Sequence, residues 1–157
     1  MTATVLDASV VVELVLGTRT GARVRERLLG PGISLHAPEL LDLEVLNVLR
    51  RHVQAGAVAA DRAEAAVRRL DELDLQRHRH GPMLPRIWSW RANLTAYDAA
   101  YVALAEVVGG PLLTTDARLS KAPGLPIPVE LFDCRGSTAW TPASTVKTTP
   151  CGSCGSR

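Results

Sequence analysis

Residues 107–124 read VVGGPLLTTDARLSKAPG, and this stretch decides the fold class. A glycine pair ends a helical pattern, a short apolar run that begins with a proline follows, and Asp116 stands directly after two threonines. The apolar run predicts a buried strand, and the amphipathic residues behind Asp116 predict a helix. Because ligands bind at the carboxyl ends of parallel strands, Asp116 is either a helix cap or part of a site.

The chain on both sides repeats this alternation of strands and helices. Short apolar or β-branched runs predict five strands, and the polar one at 74–80 is expected at a sheet edge. Pro38 is expected in the first turn of the longest helix. The order predicts an α/β fold with a short, mostly parallel central sheet and helices on both faces. The expected strands are 2–7, 33–38, 74–80, 111–115 and 127–132, and the expected helices are 9–17, 20–32, 38–56, 59–73, 85–94 and 95–110.

Composition predicts a single domain. The 157 residues are 46% hydrophobic, which suffices for one core, and the formal net charge of +2 is too small to identify a nucleic-acid or membrane partner. The chain shows neither a signal-peptide pattern nor an apolar run of membrane-spanning length, so a cytoplasmic protein is expected. All three cysteines lie at or beyond position 134, so they cannot form a disulfide framework for the core.

The composition changes after Asp133. Residues 1–133 are expected to form the domain, and residues 134–157, rich in Ser, Thr, Pro and Gly, are expected to form a flexible tail. Cys151 and Cys154 have the spacing of half a zinc site, but a closed site needs four ligands. The tail therefore predicts no metal centre of its own.

Four acids stand out by position. Asp7 follows the first strand and Asp116 the fourth, so both are expected at the carboxyl edge of the sheet. Glu44 shares a largely apolar face of the long helix, and Asp98 lies on a stripe of small residues. Buried carboxylates are normally paired or coordinate a metal, since isolated burial would neutralise them. Several converging acids predict a cation site.

Each acid also has a simpler structural interpretation. Asp7 and Asp116 both precede helices and could be N-caps. Asp98 follows Thr95 at the spacing of a capping box, with Asp in place of Glu. On the long helix, Asp42 falls on the side opposite Glu44, and periodicity alone does not decide which acid faces a site. A cation site would be excluded only if all of these structural interpretations were correct at the same time.

Four segments, taken in order, carry a family resemblance: VLDAS (5–9), LDLEVLNVLRR (41–51), LTAYDAAYVALAE (94–106) and LLTTDARLSKAPG (112–124). They resemble the acidic motifs of PIN-domain nucleases, and the chain over residues 3–132 is similar to the toxins of VapBC-type toxin–antitoxin pairs. The resemblance implies a three-layer α/β/α fold and a metal-dependent endoribonuclease restrained by a cognate antitoxin. The tail departs from the family pattern, which ends near the last strand.

The resemblance also implies residue roles. It selects Glu44 over Asp42 and places two hydroxyls, of Ser9 and Thr114, beside the first and last acids. Carboxylate oxygens suit Mg²⁺ or Mn²⁺, and an activated water as nucleophile would leave a 5′-phosphate and a 3′-hydroxyl. The implied metal-binding and catalytic residues are Asp7, Glu44, Asp98 and Asp116.

Partners follow from the same resemblance. It implies a homodimer, a tRNA or rRNA substrate, and an antitoxin segment bound at a groove between the early helices, for which VVVELVLG (10–17) and LLDLEVLNVL (40–49) offer apolar surface. Core packing explains those residues equally well. Exposed arginines and two tryptophans are candidates for RNA contact, although solvated helix faces and core packing also explain them. These candidates are Arg50, Arg51, Arg68, Arg69, Arg77, Arg79, Arg86, Arg91, Trp88 and Trp90.

Two other function classes are alternatives to the nuclease. A catalytically inactive PIN-like module that binds protein or RNA would keep the fold without needing the four acids. A phosphotransferase of the haloacid dehalogenase type would also place an acid after the first strand, but it needs a second aspartate where this chain has Ser9. No Walker-type phosphate loop is present in the sequence.

Overall fold

The computed structural model describes residues 2–133 and the backbone of residues 138–141. A short 3-10 turn, Gly81–Met83, precedes the fifth helix. The strands are β1 (Thr2–Leu6), β2 (Ile33–Pro38), β3 (Leu75–His78), β4 (Leu112–Thr114), β5 (Val129–Phe132) and β6 (Thr138–Thr141). The helices are α1 (Ala8–Leu16), α2 (Arg19–Leu28), α3 (Leu40–Gln54), α4 (Ala60–Asp71), α5 (Leu84–Ser89), α6 (Ala96–Val108) and α7 (Ala117–Ser120).

The sheet has the strand order β3-β2-β1-β4-β5-β6. The first five strands are parallel, as predicted, and β3 is at the sheet edge, as its polar sequence predicted. The sixth strand pairs antiparallel with β5 and was not predicted. It falls within the segment interpreted as a tail, so the domain boundary at 133 stays a prediction.

The register of the two central strands positions the candidate site. Val5 pairs with Leu112 and Leu6 with Leu113, so β1 and β4 end side by side. The backbone N–H of Asp7 donates to the Leu113 carbonyl at 3.0 Å. Both following segments therefore leave the sheet at the same edge, which is where parallel sheets bind ligands.

Close packing of β1 against the α6–β4 turn requires a glycine. A Cβ added to Gly110 would lie 2.0 Å from the carbonyl oxygen of Ala3, far inside van der Waals contact. The glycine pair that suggested a helix end in the sequence thus serves two purposes. Gly109 adopts the left-handed conformation that ends α6, with φ of 67°, and Gly110 admits the neighbouring strand.

The core is apolar and centred on α1, α6 and the middle strands. Four alanines of α6 are buried and allow that helix to approach β1, as the small-residue stripe predicted: Ala99, Ala100, Ala103 and Ala105. Pro38 corrects one expectation, because it ends β2 instead of starting α3. It lies beyond the last β1–β2 pair, Val5 with His36, so its missing N–H breaks no bond to β1. Within the described residues, no helix has the length and apolar character needed to cross a membrane.

Candidate active site

Asp7 is the most buried of the four acids. It stands at the N-cap position of α1 but makes no side-chain capping hydrogen bond, so capping does not account for it. Its Oδ2 instead accepts hydrogen bonds from Ser9 Oγ at 2.5 Å and from Thr114 Oγ1 at 2.7 Å. Burial raises the pKa of the Asp7 carboxyl above its usual value, although these two hydrogen bonds oppose the change.

The two hydroxyls connect Asp7 to the turn after β4. Ser9 Oγ accepts the backbone N–H of Thr115 at 2.9 Å, and Thr114 Oγ1 accepts the backbone N–H of Asp116 at 2.9 Å. Each hydroxyl therefore donates to Asp7, which follows β1, and accepts a backbone N–H from the turn that follows β4. The network fixes the carboxylate of Asp7 relative to Asp116.

The structure resolves the alternative between the two acids of α3. Glu44 Oε2 accepts a hydrogen bond from the buried hydroxyl of Tyr101 on α6 at 2.5 Å. Asp42 lies on another side of the helix and forms a two-point ion pair with Arg77 of β3, at 2.7 and 3.0 Å. Glu44 is therefore the acid of α3 on which the charges of Asp7 and Asp98 act, and Asp42 is part of an ion pair with the edge strand β3.

Asp98 lies in the first turn of α6 and takes part in its N-terminal cap. Thr95 Oγ1 accepts the backbone N–H of Asp98 at 3.1 Å and donates to Asp98 Oδ2 at 2.9 Å. Thr95 therefore caps the helix as the sequence suggested, but the Asp98 carboxylate accepts from the Thr95 hydroxyl and not from a backbone N–H, so only half of the predicted capping box forms. This contact does not exclude a second role, since the Asp98 charge still reaches both other carboxylates and raises the pKa of Asp7 and of Glu44.

Asp116 differs from the other three acids because it has a cationic partner. Its Oδ1 accepts the backbone N–H of Arg118 at 2.7 Å, which caps α7. Its Oδ2 accepts from Arg118 Nη2 at 2.9 Å. The Arg118 guanidinium is the largest cause that lowers the pKa of Asp116 below its usual value. The N-cap interpretation is therefore also correct for Asp116.

Three of the acids share an unbalanced negative charge. Burial is the main cause that raises the pKa of Glu44, and the charges of Asp7 and Asp98 raise it further. Within residues 2–133, none of these three carboxylates forms a salt bridge with a lysine or arginine. Like charges held together without a cation favour protonation or the binding of a cation.

The donor set fits a hard divalent cation. All the candidate ligands are carboxylate and hydroxyl oxygens, which Mg²⁺ and Mn²⁺ prefer. The described part of the chain contains no group of three or more His, Cys, Asp or Glu side chains arranged as a ready metal cage. Mg²⁺ commonly keeps several waters and takes only one or two protein carboxylates, so the looser arrangement suits it. The cysteines at 134, 151 and 154 lie outside the described residues.

Most arginines proposed for RNA contact already have partners in the fold. Trp90 packs partly buried against the core, whereas Trp88 is 68% exposed with the Arg91 guanidinium 5.2 Å from its ring centre. The structural interpretation thus holds for several of these candidates. The pairs are Arg77 with Asp42, Arg86 with Glu106, Arg69 with the Val15 carbonyl, and Arg50 with Asn47 and Gln54.

Two residues of the site were missed from the sequence. Tyr101 follows Asp98 by three positions, so helical spacing alone could have placed it on the same face. Arg118 follows Asp116 by two positions, and only the cap geometry of a four-residue helix brings it back to the carboxylate. Helical periodicity could therefore have predicted Tyr101, but it could not have predicted Arg118.

Comparisons with known proteins agree with this architecture. The model of the PIN domain family matches residues 4–125. Ribonuclease VapC1 of Mycobacterium tuberculosis is 44% identical over 128 residues, covering 81% of this chain and 96% of the relative. Ribonuclease VapC12 of the same species is 39% identical over 127 residues, covering 81% and 97%.

Solved structures share the fold at lower identity. VapBC2 from Rickettsia felis, bound to a DNA fragment from its promoter, superposes with a TM-score of 0.62 at 11% identity, covering 84% of this chain and 100% of that chain. PAE2754 from Pyrobaculum aerophilum gives a TM-score of 0.58 at 24% identity, covering 78% and 81%. The chain therefore belongs to the PIN-domain family, and the relatives it resembles there are VapC ribonucleases.

Proposed function

We propose that the protein is a metal-dependent endoribonuclease and the toxin of a type II toxin–antitoxin pair. The observation that carries the proposal is that Asp7, Glu44 and Asp98 act electrostatically on one another near the carboxyl edge of the sheet and form no salt bridge among the described residues. Carboxylates that lack a cationic partner favour the binding of a divalent cation. The names of the VapC relatives support hydrolysis of RNA as the reaction.

The four acids divide the work of holding the cation. Asp7 and Asp116, which follow adjacent strands, are the first choice as ligands of Mg²⁺ or Mn²⁺, with Glu44 and Asp98 as further ligands or as groups that orient the attacking water. The bound cation would make that water more acidic and stabilise charge on the phosphate. Cleavage by water would leave a 5′-phosphate and a 3′-hydroxyl, and no catalytic histidine is needed.

The surrounding residues keep these carboxylates in place. Ser9 and Thr114 hold Asp7 Oδ2, and Tyr101 holds Glu44 Oε2. Glu44 Oε1 has no hydrogen-bond partner among the described residues, so it is available to accept a proton from the attacking water. Groups fixed in this way lose little further freedom when substrate binds, which favours catalysis.

Cleavage of RNA by purified protein tests the proposal. We expect wild type to cut a structured RNA pool with Mg²⁺ or Mn²⁺ and to lose activity in EDTA, and Asp7→Asn to lose at least about a hundredfold. Mapping of the product ends should give 5′-phosphates. Asp74→Asn is the matched control, because Asp74 is exposed and its side chain forms no hydrogen bond or ion pair among the described residues. Equal behaviour of wild type and Asp7→Asn on every RNA would instead favour an inactive binding module.

The proposed partners are a cognate antitoxin, a tRNA or rRNA substrate and a second copy of the chain, with the cytoplasm as the place of action. Two related folds support the antitoxin, because one is VapBC2 from Rickettsia felis and the other is a toxin–antitoxin complex from Klebsiella pneumoniae. Of the two segments expected to offer apolar surface, α1 is mostly buried, whereas α3 exposes Leu43 and Leu46. Light scattering gives the molar mass of the chain alone, which should be that of a homodimer. The same measurement with the antitoxin added should give the larger mass of the complex.

A further inference from the structure

Arg118 is the one basic residue that forms an ion pair with any of the four acids within the described part of the chain. Its Nη2 lies 2.9 Å from Asp116 Oδ2, and its Nε lies 3.4 Å from Asp116 Oδ1. The charge of Asp98 also acts on it and raises the pKa of its guanidinium. Arg118 therefore lies at the exposed rim of the acidic site, in contact with Asp116.

The guanidinium is held weakly despite this position. The side chain is 90% exposed, and exposed ion pairs contribute little because both charges stay solvated and a long side chain is immobilised. The helix does not depend on the guanidinium either. The backbone N–H of Arg118 already supplies the cap by donating to Asp116 Oδ1 at 2.7 Å. The guanidinium can therefore leave Asp116 without unfolding α7.

Two ligands compete for Asp116 if the proposed function is right. A divalent cation and the Arg118 guanidinium both need its carboxylate oxygens, and a bound cation repels the guanidinium. A released guanidinium at the rim of a nuclease site has a natural new partner. Its planar set of donors fits the oxygens of a phosphate, and the RNA backbone brings phosphates to this rim.

We propose that Arg118 exchanges partners during the reaction cycle: it pairs with Asp116 when no cation is bound and binds a phosphate of the RNA backbone once the cation occupies the site. This inference rests on the proposed nuclease function. It assigns Arg118 to binding of substrate, next to the acids that bind the cation. It also makes one residue oppose cation binding and assist RNA binding.

Opposite effects on the two ligands make the proposal testable with Arg118→Ala. Titration calorimetry with Mn²⁺ and no RNA should show affinity about two- to fivefold tighter than wild type, because the competing ion pair is gone. Steady-state cleavage with Mn²⁺ should show a KM about tenfold higher with kcat unchanged, since a charge-assisted contact to substrate is lost. In EDTA, where Asp116 engages Arg118, fluorescence anisotropy should give equal RNA affinity for both proteins.

Two further variants sharpen the test. Arg118→Lys keeps the charge but loses the planar donor set, so it should recover part of the loss in KM. Arg19→Ala is the matched control, because Arg19 is exposed at the start of α2 and its side chain forms no hydrogen bond or ion pair among the described residues. It should match wild type in all three measurements.

The outcomes separate failure of this inference from failure of the proposed function. Wild type that neither binds Mn²⁺ nor cuts RNA would overturn the nuclease and this inference together. Wild type that does both, with Arg118→Ala unchanged in Mn²⁺ affinity or in KM, would overturn the role of Arg118 alone. A loss of RNA affinity by Arg118→Ala in EDTA would also overturn the exchange, because it would show a contact that does not depend on the cation.

Discussion

Asp42 and Glu44 are two positions apart on α3 and have opposite surroundings. Asp42 accepts two hydrogen bonds from Arg77, and the guanidinium neutralises the charge of its carboxylate. Glu44 accepts a hydrogen bond from a neutral hydroxyl, and burial and neighbouring acids raise its pKa. The same helix therefore carries one acid that stabilises the fold through pairing and one acid whose charge the fold leaves uncompensated.

This difference extends to the rest of the molecule. Away from the sheet edge, two other acids are also paired with arginine: Glu106 with Arg86 and Glu130 with Arg27. Among the four acids of the candidate site, only Asp116 has such a partner in the described part of the chain, and that arginine is almost fully exposed. The other three candidate acids, Asp7, Glu44 and Asp98, form no salt bridge in the part of the chain that the structure describes, although each is at least partly buried. Uncompensated charge that lowers stability is typical of functional sites.

The pair on α3 supplies the largest expected contrast. Glu44→Gln should lower RNA cleavage by about a hundredfold, because the variant loses both a cation ligand and a proton acceptor. Asp42→Asn should keep activity within about twofold, as expected for a surface substitution away from the site. Initial rates with Mn²⁺ at matched protein concentration measure both.

Urea unfolding provides the control for this contrast. Asp42→Asn should lose stability by less than about 1 kcal/mol, since it breaks a partly exposed ion pair. We therefore expect Glu44→Gln to lose activity but stay folded. We expect Asp42→Asn to lose some stability but stay active. A large loss of activity in Asp42→Asn would show that the two acids do not have separate roles.

Tyr101 allows a more selective test of Glu44. Tyr101→Phe removes only the hydroxyl that holds Glu44 Oε2 and should lower Mn²⁺ affinity about tenfold, as loss of a ligand's hydrogen-bond partner typically does. Calorimetry measures the change without RNA. Tyr97→Phe, on the same helix but 63% exposed, should leave the affinity unchanged. Equal affinity of Tyr101→Phe and wild type would mean that packing alone positions Glu44.

The fold was largely predictable from local signals. Five strands and six helices follow from periodicity, glycine ends and loop lengths, and the β-α-α-β order predicts the parallel sheet. Two details depended on tertiary context. Pro38 satisfied the rule for a helix start but is in β2, because its missing N–H falls beyond the pairing with β1. Strand β6 has no apolar pattern from which a strand could be predicted, and its strand conformation depends on pairing with β5.

The site was predictable in position but not in electrostatics. Strand ends located Asp7 and Asp116, and helical spacing placed Asp98 on a buried stripe. Spacing could not choose between the two acids of α3, because both lie beside apolar residues of the helix; the choice came from the family resemblance. Sequence also could not show that Arg118 reaches back to Asp116, since that contact depends on the turn geometry of α7.

The smallest expected effect concerns stability and pH. Burial raises the pKa of Asp7, so the folded state favours the protonated acid. The stability that this protonation contributes is complete below the unfolded pKa, near 3.8, and is lost as pH rises through the folded value. At pH 7 in EDTA, Asp7→Asn should therefore be more stable than wild type by about 0.5–2 kcal/mol, a gain typical of relieving a functional site.

Urea unfolding between pH 4 and pH 8 measures this dependence. The advantage of Asp7→Asn should shrink as pH falls toward the unfolded pKa, because wild type then gains its own proton, whereas Asp74→Asn should show no such trend. Asparagine Oδ1 can still accept from Ser9 and Thr114, so the network is not the variable. If Asp7→Asn is instead less stable at pH 7, the hydrogen bonds to the charged carboxylate outweigh its burial. The contrast between balanced and uncompensated acids would then have no thermodynamic basis at Asp7.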